Sequence, residues 1–395
     1  MKDRLGNHIQ QVRGVSYKPN DLSETLSDGY TTLLRANNIS EGKINFDSVQ
    51  FVSSSKVSPE QILKSNDILV CSSSGSLSLV GKSALYKKTG EHTFGAFCKV
   101  VRATGKLLPQ YIAFYMCSQA YRRHIENIAN GANINNLRNE HLDEILLSIP
   151  SEDKQNAIIA KLEKVESVIT HRRTQLAKLD ELVKCRFVEM FGDAKNNPYG
   201  WVSVTVDSVT EEILGGVSVS GEARKIQKGE LAVLKVSAVT YGVFKCDEYK
   251  VISNDIKLGK FVSPKKGDLL FSRANTKELV GATALVDKDY PHLLLPDKIW
   301  KIVVSDKVSP VYLKAYLSEP WIRELMSKVA TGTSGSMYNI SMEKLRQIPV
   351  LLPPIERQNA FASFVQRIDK LRIDVQAALD KAQTLFDSLM QEYFG

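Results

Sequence analysis

From Ser151 to Met190 the chain contains neither glycine nor proline, and its apolar residues recur in steps of three and four: Leu162, Val165, Ile169, Leu176, Leu179, Val183 and Met190. That spacing keeps one apolar stripe along a single helix face, the heptad seam of a coiled coil. The same register returns 203 residues later at Val365, Ile368, Val375, Leu379, Ala382, Phe386, Leu389 and Tyr393. Arg172 and Arg186 interrupt the first seam and Arg372 the second, where the other copy has Val375, Leu389 and Ile169. The seams are related without being interchangeable, which favours pairing with each other over self-pairing. About 39 helical residues at ~1.5 Å each span roughly 58 Å, the length of a spacer. Ile149-Pro150-Ser151-Glu152-Asp153 and Leu352-Pro353-Pro354-Ile355-Glu356 mark the two helix starts, with proline and acid at the positive end. Gly192 ends the first helix, and residues 193–198 read as a polar linker turn.

The remaining sequence alternates more rapidly. Asp67-Ile68-Leu69-Val70, Val233-Leu234-Lys235-Val236 and Asp268-Leu269-Leu270-Phe271 predict short strands bounded by polar turns. Pro109 to Ile128 and Pro310 to Val329 predict aromatic-rich helices, followed by polar loops at Asn130–Asn136 and Thr331–Ser336. These matches belong to a larger pattern, because the chain is written twice at an offset drifting from 200 to 203 residues. Leu79-Val80-Gly81 falls on Leu279-Val280-Gly281, Pro109 on Pro310, and the ending Arg186–Gly192 on Leu389–Gly395. A period this long is a duplicated domain and not a solenoid. The expected architecture is two mixed α/β (α+β) units, residues 1–150 and 193–353, separated by long helices at 151–192 and 354–395 that form an antiparallel coiled coil. On that reading the molecule has a pseudo-twofold internal repeat, with the two units at opposite ends of a rod.

Charge then narrows the function. The chain of 395 residues carries a net charge of +8, of which residues 1–150 and 193–353 contribute +4 each, as suits a polyanionic partner. No apolar run approaches the ~18 residues that a membrane span requires. Five cysteines (Cys71, Cys98, Cys117, Cys185 and Cys246) are scattered without C-x-x-C spacing, so no disulfide framework or zinc site is expected and a cytoplasmic location is. The six histidines lack metal-binding spacing. Gly75–Ser83 resembles a phosphate-binding loop but has five residues between its glycines where four are needed, and the second copy replaces Lys82-Ser83 with Ala282-Thr283. Asn197-Pro198-Tyr199-Gly200 echoes an adenine-holding element of amino-methyltransferases but lacks one proline and any preceding cofactor loop. No catalytic, metal or cofactor set is assigned to this chain, which points to a recognition or assembly component.

Two basic α/β units alternating with two long helices, the second opened by Ile348-Pro349-Val350-Leu351-Leu352-Pro353-Pro354-Ile355-Glu356-Arg357-Gln358, resemble the specificity subunit of a type I DNA restriction-modification system. The likeness covers essentially the whole chain, although the first copy's signature departs to Pro150-Ser151-Glu152-Asp153-Lys154-Gln155. The resemblance implies that each unit is a target-recognition domain reading one half of a split double-stranded DNA sequence. It implies that the helices set the gap between halves and dock two modification (methyltransferase) subunits, which bind S-adenosylmethionine, and that restriction subunits join the assembly. Candidate DNA contacts are polar residues of the turns: Ser16, Tyr17, Arg35, Asn37, Ser72, Ser73, Ser74, Asn130, Asn133 and Asn135 in the first copy, and Ser218, Lys235, Ser237, Ser272, Arg273, Asn275, Thr331, Thr333 and Ser334 in the second. Lys82 and Lys277 are candidate phosphate contacts. These polar residues mostly differ between copies, so two different half-sites are expected. The alternative is a non-enzymatic assembly protein whose basic units bind protein or RNA. A fragment of a fused methyltransferase is disfavoured by the missing cofactor loop.

Overall fold

The computed structural model describes residues 2–88, 90–132, 136–253, 255–256, 259–332 and 337–395, with backbone alone for residues 129–132. Among them the α helices are α1 (Pro109–Met116), α2 (Gln119–Ala132), α3 (Asn139–Asp143), α4 (Glu152–Phe191), α5 (Pro310–Leu317), α6 (Pro320–Val329), α7 (Met342–Arg346) and α8 (Ile355–Phe394). The chain divides into two compact units, residues 1–173 with 377–395 and residues 174–376. The division passes through both long helices, so each unit holds half of α4 and half of α8.

Unit one is built around two four-stranded sheets. The antiparallel sheet orders its strands Ile9–Arg13, Cys98–Ala103, Ile68–Cys71 and Ser83–Leu85. The central strand Ile68–Cys71 is buried at every position, which is why it reads as an unbroken apolar run. The second sheet pairs His92–Phe94 in parallel with Tyr30–Leu34, followed by Gln50–Ser53 and Leu22–Ser23. Unit two repeats the first sheet strand for strand, as Thr210–Gly215, Ile299–Val304, Leu269–Ser272 and Thr283–Leu285. Its second sheet again carries a parallel pair, Ala232–Leu234 with Leu293–Leu294. Registers match across the copies: Cys98 pairs with Cys71 and Ile299 with Ser272.

The predicted aromatic helices are each interrupted. Cys117 and Ser118 separate α1 from α2, and the Ser118 hydroxyl accepts from Tyr121 N at 3.2 Å. In the second copy Pro320 restarts the chain as α6, its missing N–H falling where a helix start leaves that group unbonded anyway. The loop expected at Asn130–Asn136 begins later, since Asn130 to Ala132 continue α2.

The long helices are single 40-residue elements. Leu162, Ile169, Met190, Ile368 and Ala382 are buried and the other predicted seam residues, Val165, Leu176, Leu179, Val183, Val365, Val375, Leu379, Phe386, Leu389 and Tyr393, are half-buried; none is exposed. In unit one Ile159, Leu162, Met390 and Phe394 enter the core with Tyr111, whose ring lies 5.1 Å from that of Phe394. In unit two Phe361 packs edge-on against Phe187 and Phe191, each 5.5 Å away. The seam arginines find partners of their own: Arg186 lies 5.8 Å over the Phe364 ring, and Arg372 reaches Asp180 at 2.6 Å and also Asp369.

The stretches Pro150–Gln155 and Pro353–Gln358 at the two long-helix starts share a packing reason at their final glutamine. Gln155 and Gln358 are fully buried. Gln358 accepts from Ser309 N at 2.8 Å and donates to the carbonyls of Lys307 and Pro353. Gln155 does the same with Leu108 N and the carbonyls of Lys106 and Pro150. One side chain thus bonds three backbone groups that strand and helix ladders leave open, tying the start of the long helix to the turn before α1 or α5.

Candidate nucleic-acid interface

In unit one the candidate residues converge on the turn Gly95–Cys98, closed by the Cys98 N–H on the Gly95 carbonyl at 2.8 Å. Val15 N donates to Phe94 O and Gly95 N to Leu34 O, which brings the segments bearing Tyr17 and Arg35 beside the turn. The approach is close: a Cβ on Gly14 would lie 2.1 Å from the Gly95 carbonyl oxygen, so only glycine fits there. The N–H groups of Ser72 and Ser73 both donate to the Phe97 carbonyl, at 2.8 and 3.1 Å, and Ser72 O accepts from Leu137 N. Ser16, Asn37 and Lys82 are exposed nearby in sequence, and Ser74 is half-buried. The Lys82 carbonyl accepts from Cys71 N, next to Ser72.

Unit two builds the same turn from Pro296–Ile299, with Ile299 N on Pro296 O at 3.1 Å. Gly216 takes the place of Gly14, its notional Cβ 2.1 Å from Leu295 O, and Ser218 follows it on the surface. Arg273 N donates to Lys298 O at 3.0 Å, and the Arg273 carbonyl accepts from Ile340 N. Asn275 pairs with Tyr338, and Thr331 exchanges both backbone bonds with Asn339, so Arg273, Asn275 and Thr331 share one patch. Lys277 is exposed in the adjoining turn. Lys235 and Ser237 are half-buried and both engage Glu248, the hydroxyl at 2.7 Å and the ammonium at 3.4 Å. The Ser237 hydrogen bond, aided by Lys235, holds the Glu248 carboxyl below the usual range.

Ser272 leaves the candidate set. It is fully buried in the central strand and its hydroxyl donates to Ala274 O. Asn133, Asn135, Thr333 and Ser334 lie outside the described residues, as does the side chain of Asn130.

Two features were not legible in the sequence. Arg35 and Arg273, one beside the turn in each unit, have a buried Nε without a protein hydrogen-bond partner. The Arg273 guanidinium also lies 5.3 Å over the Trp300 ring, which fixes its direction. Second, Phe97 at the turn tip is 66% exposed and Tyr241 is 69% exposed, each a large aromatic face at the surface. Helix α2 supports the loop between Ser74 and Gly81 by donating from Arg122 to the carbonyls of Val80 and Leu77, at 2.8 and 3.0 Å. Arg323 of α6 repeats the bond on Glu278 O at 3.0 Å. The repeated Leu-Val-Gly places its glycine at φ +80 and +81, a left-handed conformation that disfavours other residues.

Elsewhere, Asn197 bonds Trp201 through both side-chain amide atoms, the geometry of a linker turn. Among the described residues no group of three or more His, Cys, Asp or Glu side chains is placed to hold a metal ion, and no helix is long and apolar enough to cross a membrane.

The family model for the type I restriction modification DNA specificity domain matches this chain twice, over residues 17–181 and 198–382. The chain belongs to that family. Within it, the chain is 29% identical to the type I restriction enzyme EcoKI specificity subunit of Escherichia coli (strain K12), over 97% of this chain and 86% of the relative. It is 26% identical to the StySPI specificity subunit of Salmonella potsdam, again over 97% and 86%. The fold is that of the type I restriction-modification S subunit from M. genitalium, at TM-score 0.58 and 13% identity, covering 100% of this chain and 96% of the other.

Proposed function

We propose that this chain is the sequence-specific DNA-binding subunit of a type I restriction-modification complex, recognising a bipartite target and directing partner subunits to it. The observation that carries the reading is that the DNA specificity domain matches twice, once in each unit. Each unit presents the same turn with different polar and charged side chains around it, as two different half-sites require. The excess positive charge supplies phosphate attraction, and the few fixed side chains at the turn supply base discrimination. Chemistry belongs to the partners: methyltransferase subunits holding S-adenosylmethionine, two per chain, and restriction subunits. The long helices α4 and α8 pair as an antiparallel coiled coil in a pseudo-twofold molecule, dock the methyltransferase subunits and set the number of unread base pairs. In unit two this pairing is supported by the contacts Asp180 to Arg372 and Phe187 to Phe361, which descend along α8 as they ascend along α4. The family membership leaves an RNA- or protein-binding assembly role without support.

The test is the map of methylated adenines in host DNA with the gene intact and deleted, alongside gel shifts with and without the purified modification subunit. The proposal requires a split methylated sequence that disappears on deletion. Unchanged methylation, with no preference of the assembled complex for any duplex, would refute it.

A further inference from the structure

We infer that the tip of the Gly95–Cys98 turn is a specificity-determining position at which Phe97 makes an apolar contact with the 5-methyl group of a thymine in the half-site read by unit one. The inference rests on the DNA-binding reading above and adds a base and an atom to it.

Three observations combine. The first is exposure in the wrong place for a phenyl: Phe97 is 66% exposed, although the strand after it, Cys98–Ala103, begins with four buried residues. The second is rigidity. The turn is closed by Cys98 N on Gly95 O, and the Phe97 carbonyl is held by two N–H donors from Ser72 and Ser73, so the backbone beneath the ring is fixed before any ligand arrives. The third is the comparison of the copies. The turn recurs in unit two with the matching closing bond, Ile299 N to Pro296 O, and its tip residue Lys298 again accepts from the neighbouring strand through Arg273 N. Backbone geometry is thus preserved while the tip switches from phenyl to ammonium. A position whose scaffold is kept and whose chemistry changes is one that reads the target.

The chemistry of the reader then selects what is read. A phenyl has no hydrogen-bonding atom, and among base edges in the major groove the thymine methyl is the apolar feature it complements. Lys298 at the same place offers donors suited to guanine or phosphate oxygens, so the two half-sites differ at the base pair facing this turn. Covering one methyl group contributes ~0.8 kcal/mol, about a fourfold change in affinity.

The test uses the full-length chain assembled with its modification subunits and duplexes carrying its mapped target, in which each thymine in turn is replaced by deoxyuridine. The wild type should lose about fourfold in affinity at one thymine of the unit-one half-site. Phe97→Ala should bind the thymine and deoxyuridine duplexes equally, while Phe97→Leu should keep part of the difference. The inference is overturned if no thymine is sensitive to loss of its methyl group, if Phe97→Ala keeps the sensitivity, or if that variant weakens every duplex alike. A wild-type complex that fails to prefer its mapped target over random DNA would instead defeat the underlying DNA-binding reading, a separable result.

Discussion

Gln155 and Gln358 show how much a single residue can hold in this chain. Each is buried among backbone groups with no other described partner in the strand and helix ladders, and each satisfies three of them. Gln358→Leu keeps the bulk and deletes the bonds, leaving Ser309 N and the Pro353 carbonyl buried without this partner and the Lys307 carbonyl part-buried. At ~1–3 kcal/mol for each unsatisfied group, partly relieved by relaxation, unit two should lose about 3 kcal/mol. Calorimetry should show a lowered transition for that unit with the other little changed; an unaltered melting profile would mean that water replaces the glutamine. On the proposed DNA-binding reading, Arg273 serves recognition. Its guanidinium is aimed by Trp300 and keeps a buried Nε free, so Arg273→Ala should weaken binding to the specific site by about 1–3 kcal/mol while sparing random DNA. Equal loss on both duplexes would make Arg273 a phosphate contact. Residue chemistry was only partly readable in advance. Turn residues such as Arg273 and Asn275 are recognisable as polar loop positions, but burial is not, which is why Ser272 looked available.

At the scale of elements, legibility followed periodicity. A seam that repeats over 40 residues in α4 and again in α8 outlasts any local ambiguity, and every predicted seam residue is buried or half-buried. Short elements gave no such redundancy. The break at Cys117–Ser118 depends on one hydroxyl capping the next helix, a signal that an aromatic-rich stretch conceals. The prediction proper to this scale concerns the seam. Inserting seven residues into α4 after Arg173 and seven into α8 after Gln376, where the compact units divide, preserves the heptad register and lengthens each helix by about 10.5 Å. That is close to three base-pair steps, whereas a heptad returns nearly to its starting face while three base pairs turn by roughly 100°. The methylated sites of the lengthened protein should keep both half-sites, with a wider unread gap and reduced affinity. An unchanged gap at full activity would assign the spacing to something else.

For the whole molecule, the duplication is the fact from which function follows. Two units share strand order, register, glutamine anchors and the turns Gly95–Cys98 and Pro296–Ile299, yet their turn residues diverge, so recognition is modular if each unit reads alone. The duplication itself was visible in the sequence through matched glycines and apolar residues; the convergence of distant segments on one turn was not, because it is made by backbone bonds between residues far apart in the chain, such as Val15 N to Phe94 O and Leu137 N to Ser72 O. The most direct measurement is to replace residues 1–150 with the corresponding segment of a relative that keeps apolar partners for Ile159, Leu162, Met390 and Phe394, and to sequence the adenines methylated by the assembled complex. One half of the split target should change to that of the donor while the other half stays the same. Both halves changing together, or neither changing, would contradict the account.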